Sequence, residues 1–532
     1  MNNTFQRLRL WPVVFSLVAL AAANPMVASG APLNEPSEPQ SGPATARFQL
    51  RYPNYRGWLF PGHRSAEVGI AIPPDTFRFR APGLELRLEL SGTGLTNRAA
   101  HRLQSETAEL SVPAEGLPAG DLLLKASLCS GSRQLAARTW HLRLLTRAEV
   151  KSVRAYVDSD NRLILDGKPF FPLGWYGAVN ESQLAEIADS PFNCLLAYGT
   201  DRVPKERMRR FLDTMQASGL KLIYCMNDVY PTATYLKNTG WEGIRGNSNI
   251  AAAVVEAYRD HPAILAWYLN DELPRKLAPQ LEGYYHAVRQ GDPSRPCFIV
   301  LCNTSEFRYF PQTTDILGVD PYPIPRHPVT QVADYLDAAQ KAVQGAEPVW
   351  LVPQAFAWYQ YNSKNADRGH IPSKEELRTG RAPTREEERC MTYLGLIHGA
   401  KGLIYYCYYD LRVLPQYKEM WGWMKSIAAE VKTLSPALLS TQAPGHWRVS
   451  TPVQGRLFRK GDRLYLLAAN PTKAPCQVRF DLERTIGRQV EVLFENRDIP
   501  ANDGTFQDSF TPLAVHVYLV RWPSAAPGST RN

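Results

Sequence analysis

The chain has 532 residues, more than one compact domain holds at roughly 100–200 residues each. Apolar residues make up 44% and charged residues 21%, which excludes a wholly disordered chain. The net charge of +9 is spread thinly, without a dense Lys/Arg run between aromatics, and argues against a nucleic-acid partner.

The first 31 residues read as a signal peptide. Arg7 and Arg9 make a basic start, residues 10–23 are apolar but too short to span a bilayer, and small residues at 27–31 suit signal peptidase. No later segment reaches the roughly 20 apolar residues of a membrane span. An exported protein, periplasmic or extracellular and without a membrane span once the signal is removed, is expected. Residues 32–45 are rich in Pro, Ser and Glu and read as a linker.

From 46 to 147 short runs alternate, as where Leu84, Leu86, Leu88 and Leu90 interleave with Glu85, Arg87 and Glu89. Turn residues such as Pro118 and Gly120 punctuate them, the signature of an antiparallel β-sandwich. Between 155 and 440 the pattern changes to apolar runs, each followed by helical periodicity. Eight strands are predicted at 170–175, 192–197, 221–226, 264–269, 297–301, 316–319, 349–352 and 403–407, with helices at 205–218, 250–259, 331–343 and 386–398 between them. Thr384 and Glu387 form a capping box ahead of the last of these. Eight such repeats predict a (β/α)₈ TIM barrel, an α/β fold of about 250 residues. A doubly wound open sheet competes, but no Gly-rich phosphate turn follows any strand. Beyond a helix near 417–434, alternation returns from 445 to 522, with a turn at Asn502-Asp503-Gly504, and predicts a second β-sandwich.

Of the eight cysteines, Cys194, Cys225, Cys297 and Cys407 lie inside apolar runs and read as buried free thiols. No CxxC or HExxH spacing occurs, so a zinc site has little support, and the acid/base chemistry argued below needs no metal or organic cofactor.

Barrel sites lie at the C-terminal ends of the strands. Those ends carry Tyr176 and Tyr198, then Asn227 and Asp228, then Asn270, Asp271 and Glu272. Asn303, Asp320 and Tyr322, Gln354, and Tyr408 and Asp410 follow. Amides and carboxylates fork to sugar hydroxyls and aromatic rings stack on the C–H face of a pyranose, so a carbohydrate partner is indicated. Singly, Asp228 or Asp410 reads equally well as a helix cap, and Tyr176 or Tyr198 as rim packing. The sharpest feature is the fourth strand, apolar from 264 to 269 and ending abruptly in Asn270-Asp271-Glu272. Adjacent carboxylates after a buried strand repel, which raises one pKa as a general acid requires. Capping of the next helix is the competing reading.

The stretch HPAILAWYLNDELP, with LILDGKPFFPLGWYG before it and GVDPYPIP after it, resembles the (β/α)₈ glycoside hydrolases of the clan containing β-galactosidases, β-glucuronidases and cellulases. The resemblance takes in the barrel and both flanking sandwiches. It implies glycosidic bond hydrolysis with Glu272 as the catalytic acid/base. It also implies a nucleophilic glutamate after strand seven, where this chain has Gln354, which cannot attack an anomeric carbon. Four arrangements stay open. In one, Asp271 orients a substrate N-acetyl group that attacks while Glu272 protonates the leaving oxygen, an Asp-Glu pairing similar to that of some hexosaminidases. In another, Asp320 or Asp410 activates water for inversion, across roughly 6.5–9.5 Å. A third is a catalytically silent sugar-binding barrel, and the fourth an unusual retaining site.

The loop at 357–383, with Trp358, Tyr359, Tyr361, Arg368 and His370, is long enough to be a lid, and Tyr230, Tyr235 and Trp241 offer a second wall. His398 reads as packing. The sequence therefore predicts a secreted glycosidase of an oligo- or polysaccharide. Glu272 and Asp271 are its catalytic pair. Tyr176, Asn227, Asp228, Asn270, Asp320, Tyr322, Gln354, Trp358, Tyr408 and Asp410 are its substrate contacts. A non-catalytic glycan-binding barrel is the alternative.

Overall fold

The structure, a computed structural model, describes residues 46–62, 65–72, 77, 83–227, 240–311, 313–362, 370–482 and 488–521. The signal peptide and linker expected at 1–45 lie outside the described residues.

Eight parallel strands close into a barrel in chain order. They are β1 (Leu173–Ala178), β2 (Cys194–Tyr198), β3 (Lys221–Cys225), β4 (Ile264–Asp271), β5 (Cys297–Leu301), β6 (Ile316–Val319), β7 (Val349–Leu351) and β8 (Leu403–Tyr405). Closure is made by β1 pairing with β8, Leu173 opposite Leu403, which excludes the open sheet. Strands of such a barrel are covered on both faces, which is why they read as unbroken apolar runs rather than alternating ones. In β4 the seven residues from Ile264 to Asn270 are all buried. Leu265 and Tyr268 pack inward with Phe298 and Trp350. Trp267 and Leu269 pack outward among the helices.

All eight expected strands form, their ends differing by up to three residues. The first differs most. Lys168–Phe170 pairs antiparallel in a small separate sheet, and the barrel strand begins beyond Pro172. The surrounding helices include Lys205–Ala217, Asn247–Tyr258, Ala278–Gly291, Gln331–Val343, Arg385–Ile397 and Tyr417–Leu438. At Thr384 the capping box is formed, the Thr384 N–H donating to Glu387 at 2.8 Å while the Thr384 side chain accepts from the Glu387 N–H.

Before the barrel, a three-stranded and a five-stranded sheet face each other, with Leu84, Leu86, Leu88 and Leu90 buried between them. After it, another three-stranded and five-stranded pair encloses Phe480, Phe506 and Tyr518. The first sandwich is fastened to the barrel by Arg56, whose guanidinium reaches Asp315 at 2.9 Å with both side chains almost wholly buried. The second is held by Arg389, which donates to the Val515 carbonyl at 2.7 Å. All eight cysteines are free, with Cys194, Cys225, Cys297 and Cys407 buried. Among the described residues no helix is long and apolar enough to cross a membrane.

Candidate active site

The end of β4 is irregular, and the irregularity builds the site. The pairing of β4 with β5 shifts register between Tyr268 and Asn270. Glu272 then takes a left-handed backbone conformation, φ 50°, with its N–H donated to the Val300 carbonyl at 2.9 Å. A non-glycine residue held this way costs on the order of 1–3 kcal/mol, a strain that clusters at functional sites.

Asp271 is gripped on both oxygens. Tyr198 at the end of β2 donates to Oδ2 and Tyr268 donates to Oδ1, each at 2.6 Å. Burial raises the Asp271 pKa, and the two tyrosine hydroxyls oppose that rise by stabilising the carboxylate.

Glu272 is half-buried and lies beside Asp320, just after β6, and Cys302, just after β5. Burial, joined by the charge of Asp271, pushes its carboxyl up to about 7, while the bonds to Asp320 and Cys302 pull the other way. Asp320 is raised further still, first by its own burial and then by the charge of Glu272. Three carboxyl groups in so small a space cannot all ionise, so the cluster keeps a proton at neutral pH.

Aromatic rings wall the cluster. Tyr176 projects inward from β1, its ring centre 5.5 Å from Tyr198, 5.9 Å from Tyr268 and 5.3 Å from Tyr406. Tyr322 lies 5.6 Å from Tyr406 and 5.0 Å from Phe356. Trp358 continues this wall, donating its indole N–H to the Tyr322 carbonyl at 3.3 Å, with the Arg326 guanidinium 4.1 Å over its ring.

The fold thus gathers Asp271, Glu272, Asp320, Tyr176 and Tyr322, with Trp358 beside them. Asn227 sits at the end of β3, 7% exposed, and Asp228 lies outside the described residues. Other expected contacts are otherwise employed. Tyr408 opens a short helix that turns its ring outward onto Trp175 and Trp421, and its hydroxyl bonds Glu186. It belongs to the layer between barrel and helices, not to the site. Gln354 is fully buried and spends its amide on backbone, accepting from the Ile324 N–H and donating to the Ile324 carbonyl, both at 2.8 Å. Asn270 is fully buried, and its Oδ1 accepts from the Leu273 N–H, so it shapes the turn that presents Glu272. Asp410 accepts from the Tyr361 hydroxyl and, through its carbonyl, from Gln360, anchoring the loop after β7. Trp241 is buried against Tyr258 and forms no wall. Tyr230, Tyr235 and Arg368 lie outside the described residues. His398 bridges Asp337 and Gln454 as a packing residue.

Tyr268, Tyr406 and Cys302 escaped the sequence reading. Each adjoins or lies within an unbroken apolar run, where nothing distinguishes the inward positions from the outward ones. Among the described residues no group of three or more His, Cys, Asp or Glu side chains is arranged to hold a metal ion.

No family model and no curated protein matches this chain. Among solved structures it is similar to a family 39 glycoside hydrolase from the gut symbiont Bacteroides cellulosilyticus, at 12% identity and TM-score 0.43, over 89% of this chain and 100% of that one. It is similar also to a β-L-arabinopyranosidase from Geobacillus stearothermophilus, at 12% identity and TM-score 0.45, over 67% and 97%. A β-glucuronidase from Parabacteroides merdae aligns at 9% identity and TM-score 0.34, over 89% and 75%. Likeness at this level leaves reaction and substrate to the residues themselves.

Proposed function

We propose that the protein is an exported glycoside hydrolase in which Glu272 donates the proton to the leaving glycosidic oxygen. The observation that carries this reading is the carboxyl cluster at the C-terminal rim, with half-buried Glu272 poised near 7 between Asp271 and Asp320. A general acid works best when its pKa lies near the operating pH, and burial beside like charge is the means of raising a glutamate there. The tyrosine wall supplies what a sugar ring needs, flat faces for stacking and hydroxyls for hydrogen bonding.

For the second role, Asp271 is better suited than Asp320. Asp320 lies directly beside Glu272 and acts on its ionisation, whereas inversion sets the two carboxyl groups roughly 6.5–9.5 Å apart with a water between them. Asp271 is next to Glu272 and locked by two hydroxyls. That rigidity favours substrate assistance. The carbonyl oxygen of an N-acetyl group, oriented by Asp271, attacks the anomeric carbon as the C–O bond to the leaving group breaks and takes the Glu272 proton. Water then opens the cyclic intermediate and returns a proton to Glu272.

The test is release of reducing ends from a panel of neutral, N-acetylated and acidic glycans, wild type beside Glu272→Gln. Loss of about 10²–10⁴ in turnover with glycan binding retained supports the reading. Undiminished turnover in the variant overturns it. Binding without turnover in both proteins would place the glycan-binding alternative ahead.

A further inference from the structure

A second concavity lies away from the rim, between the first sandwich and the flank of the barrel. One wall is the strand Arg47–Tyr52 with the long strand Arg133–Leu144. The other comprises the helices Ala278–Gly291 and Gln331–Val343 and the loop leading into β6. Seven arginines and lysines line it: Arg51 and Arg56, which pair with acids, and five others, Arg47, Arg138, Arg289, Arg308 and Lys341. Among the described residues none of these five forms an ion pair, whereas two of the acidic groups of the same cleft are paired with arginine. Glu109 pairs with Arg51 at 3.0 Å and Asp315 with Arg56 at 2.9 Å. Glu282 lies 3.7 Å from His286, and among the described residues no Arg or Lys pairs with it. Glu347 is buried, one of its oxygens has no partner, and burial pushes its pKa well up.

Two of the guanidinium groups are held in place. Arg138 lies 5.3 Å over the Trp140 ring and donates to the Phe48 carbonyl at 3.1 Å. Arg308 lies 4.9 Å from the Tyr309 ring centre and donates to its hydroxyl at 2.8 Å. Arginines held this way lose little freedom on meeting a carboxylate or sulfate, and present the paired donors such groups accept. The cleft also connects with the rim. Arg275, three residues after Glu272, lies 3.6 Å from the Tyr309 ring centre. The segment bearing Arg308 follows directly from Cys302, which touches Glu272.

We propose that this cleft binds an anionic polysaccharide, so that the substrate is an acidic glycan whose chain runs from the rim over Tyr309 into the cleft. The binding stands on the cleft alone; its assignment to the substrate rests on the glycosidase reading. The experiment is affinity electrophoresis of the full chain through gels containing polygalacturonate, chondroitin sulfate or dextran, for wild type, Glu272→Gln, Arg138→Ser and the double variant Arg308→Ser/Lys341→Ser. The altered side chains are exposed, and unchanged thermal melts establish that the variants fold. Wild type and Glu272→Gln should be retarded by the two acidic polymers and not by dextran, with retardation fading as salt rises. Each removed cation should weaken binding about tenfold. Absence of retardation in wild type, or equal retardation in the charge variants, overturns the site. Equal binding of inorganic polyphosphate or duplex DNA overturns the glycan assignment. Turnover by Glu272→Gln, measured separately, would sink the glycosidase reading and leave the binding result standing.

Discussion

The carboxyl groups of Glu272 and Asp320 lie side by side at the open end of the barrel, one presented by the fourth strand and the other by the sixth. Both acids are raised by burial, and each acts on the ionisation of the other. As proton donor, Glu272 must be protonated, so kcat/KM should fall as pH rises through about 7.

The neighbours should move that alkaline limb in opposite directions. Asp320 donates to the Glu272 carboxylate and lowers its pKa, so Asp320→Leu should shift the limb to higher pH, while Asp320→Asn keeps a donor and shifts it less. Asp271 raises it by charge, so Asp271→Asn should shift the limb to lower pH. Profiles of kcat/KM against pH decide this. A limb that stays put in all three variants would mean that Glu272 is not the titrating acid.

Gln354→Glu should not create a nucleophile. The amide NH₂ of Gln354 faces the Ile324 and Phe356 carbonyls at 2.8 and 3.2 Å, and a carboxylate there would meet acceptors with an acceptor. The expected outcome is no gain in turnover and a loss of about 1–3 kcal/mol in stability, read from urea unfolding. A rise in activity would mean that this position reaches the substrate.

Removing Arg56 should loosen the first sandwich from the barrel. Asp315, 2% exposed, takes Arg56 at 2.9 Å, the Tyr285 hydroxyl at 2.7 Å and the Cys297 N–H at 2.8 Å. Arg56→Met leaves a buried carboxylate without its cation, a cost of about 3–5 kcal/mol. The double change Arg56→Met/Asp315→Leu should restore part of that, because no unpaired charge remains. Equal loss in the single and double variants would contradict this account.

Glu388 should make stability depend on pH. It is fully buried in the helix Arg385–Ile397, neither carboxyl oxygen has a partner, and burial lifts its pKa well above 4.5. The folded state therefore holds a proton that the unfolded chain releases above about 4.5. Its contribution is neutral below that value and destabilising above it, by about 1.4 kcal/mol per pH unit up to the folded pKa. Glu388→Gln should melt higher than wild type at pH 8, and the difference should vanish at pH 4. Parallel melting curves for both proteins across that range would refute it.

By itself the amino-acid sequence determined the architecture. Strands covered on both faces must be continuously apolar, so β1 to β8 are visible as runs, and Thr384 with Glu387 marks a helix start by local hydrogen bonding alone. The sequence also singled out Glu272, because adjacent carboxylates ending a buried strand fit an acid/base pair better than the helix cap that is their competing reading. What the tertiary structure alone decided is which rim residues meet. The period of two that sorts inward from outward side chains lapses where strands end, so Tyr176 turns into the barrel while Tyr408 turns out to Trp175 and Trp421. Asp320 and Cys302 reach Glu272 only because barrel closure lays successive strand ends side by side. Gln354 is lost to the site because the Ile324 backbone needs its amide. Proximity across a closed sheet depends on register and curvature, which are properties of the packed whole and not of any run of residues.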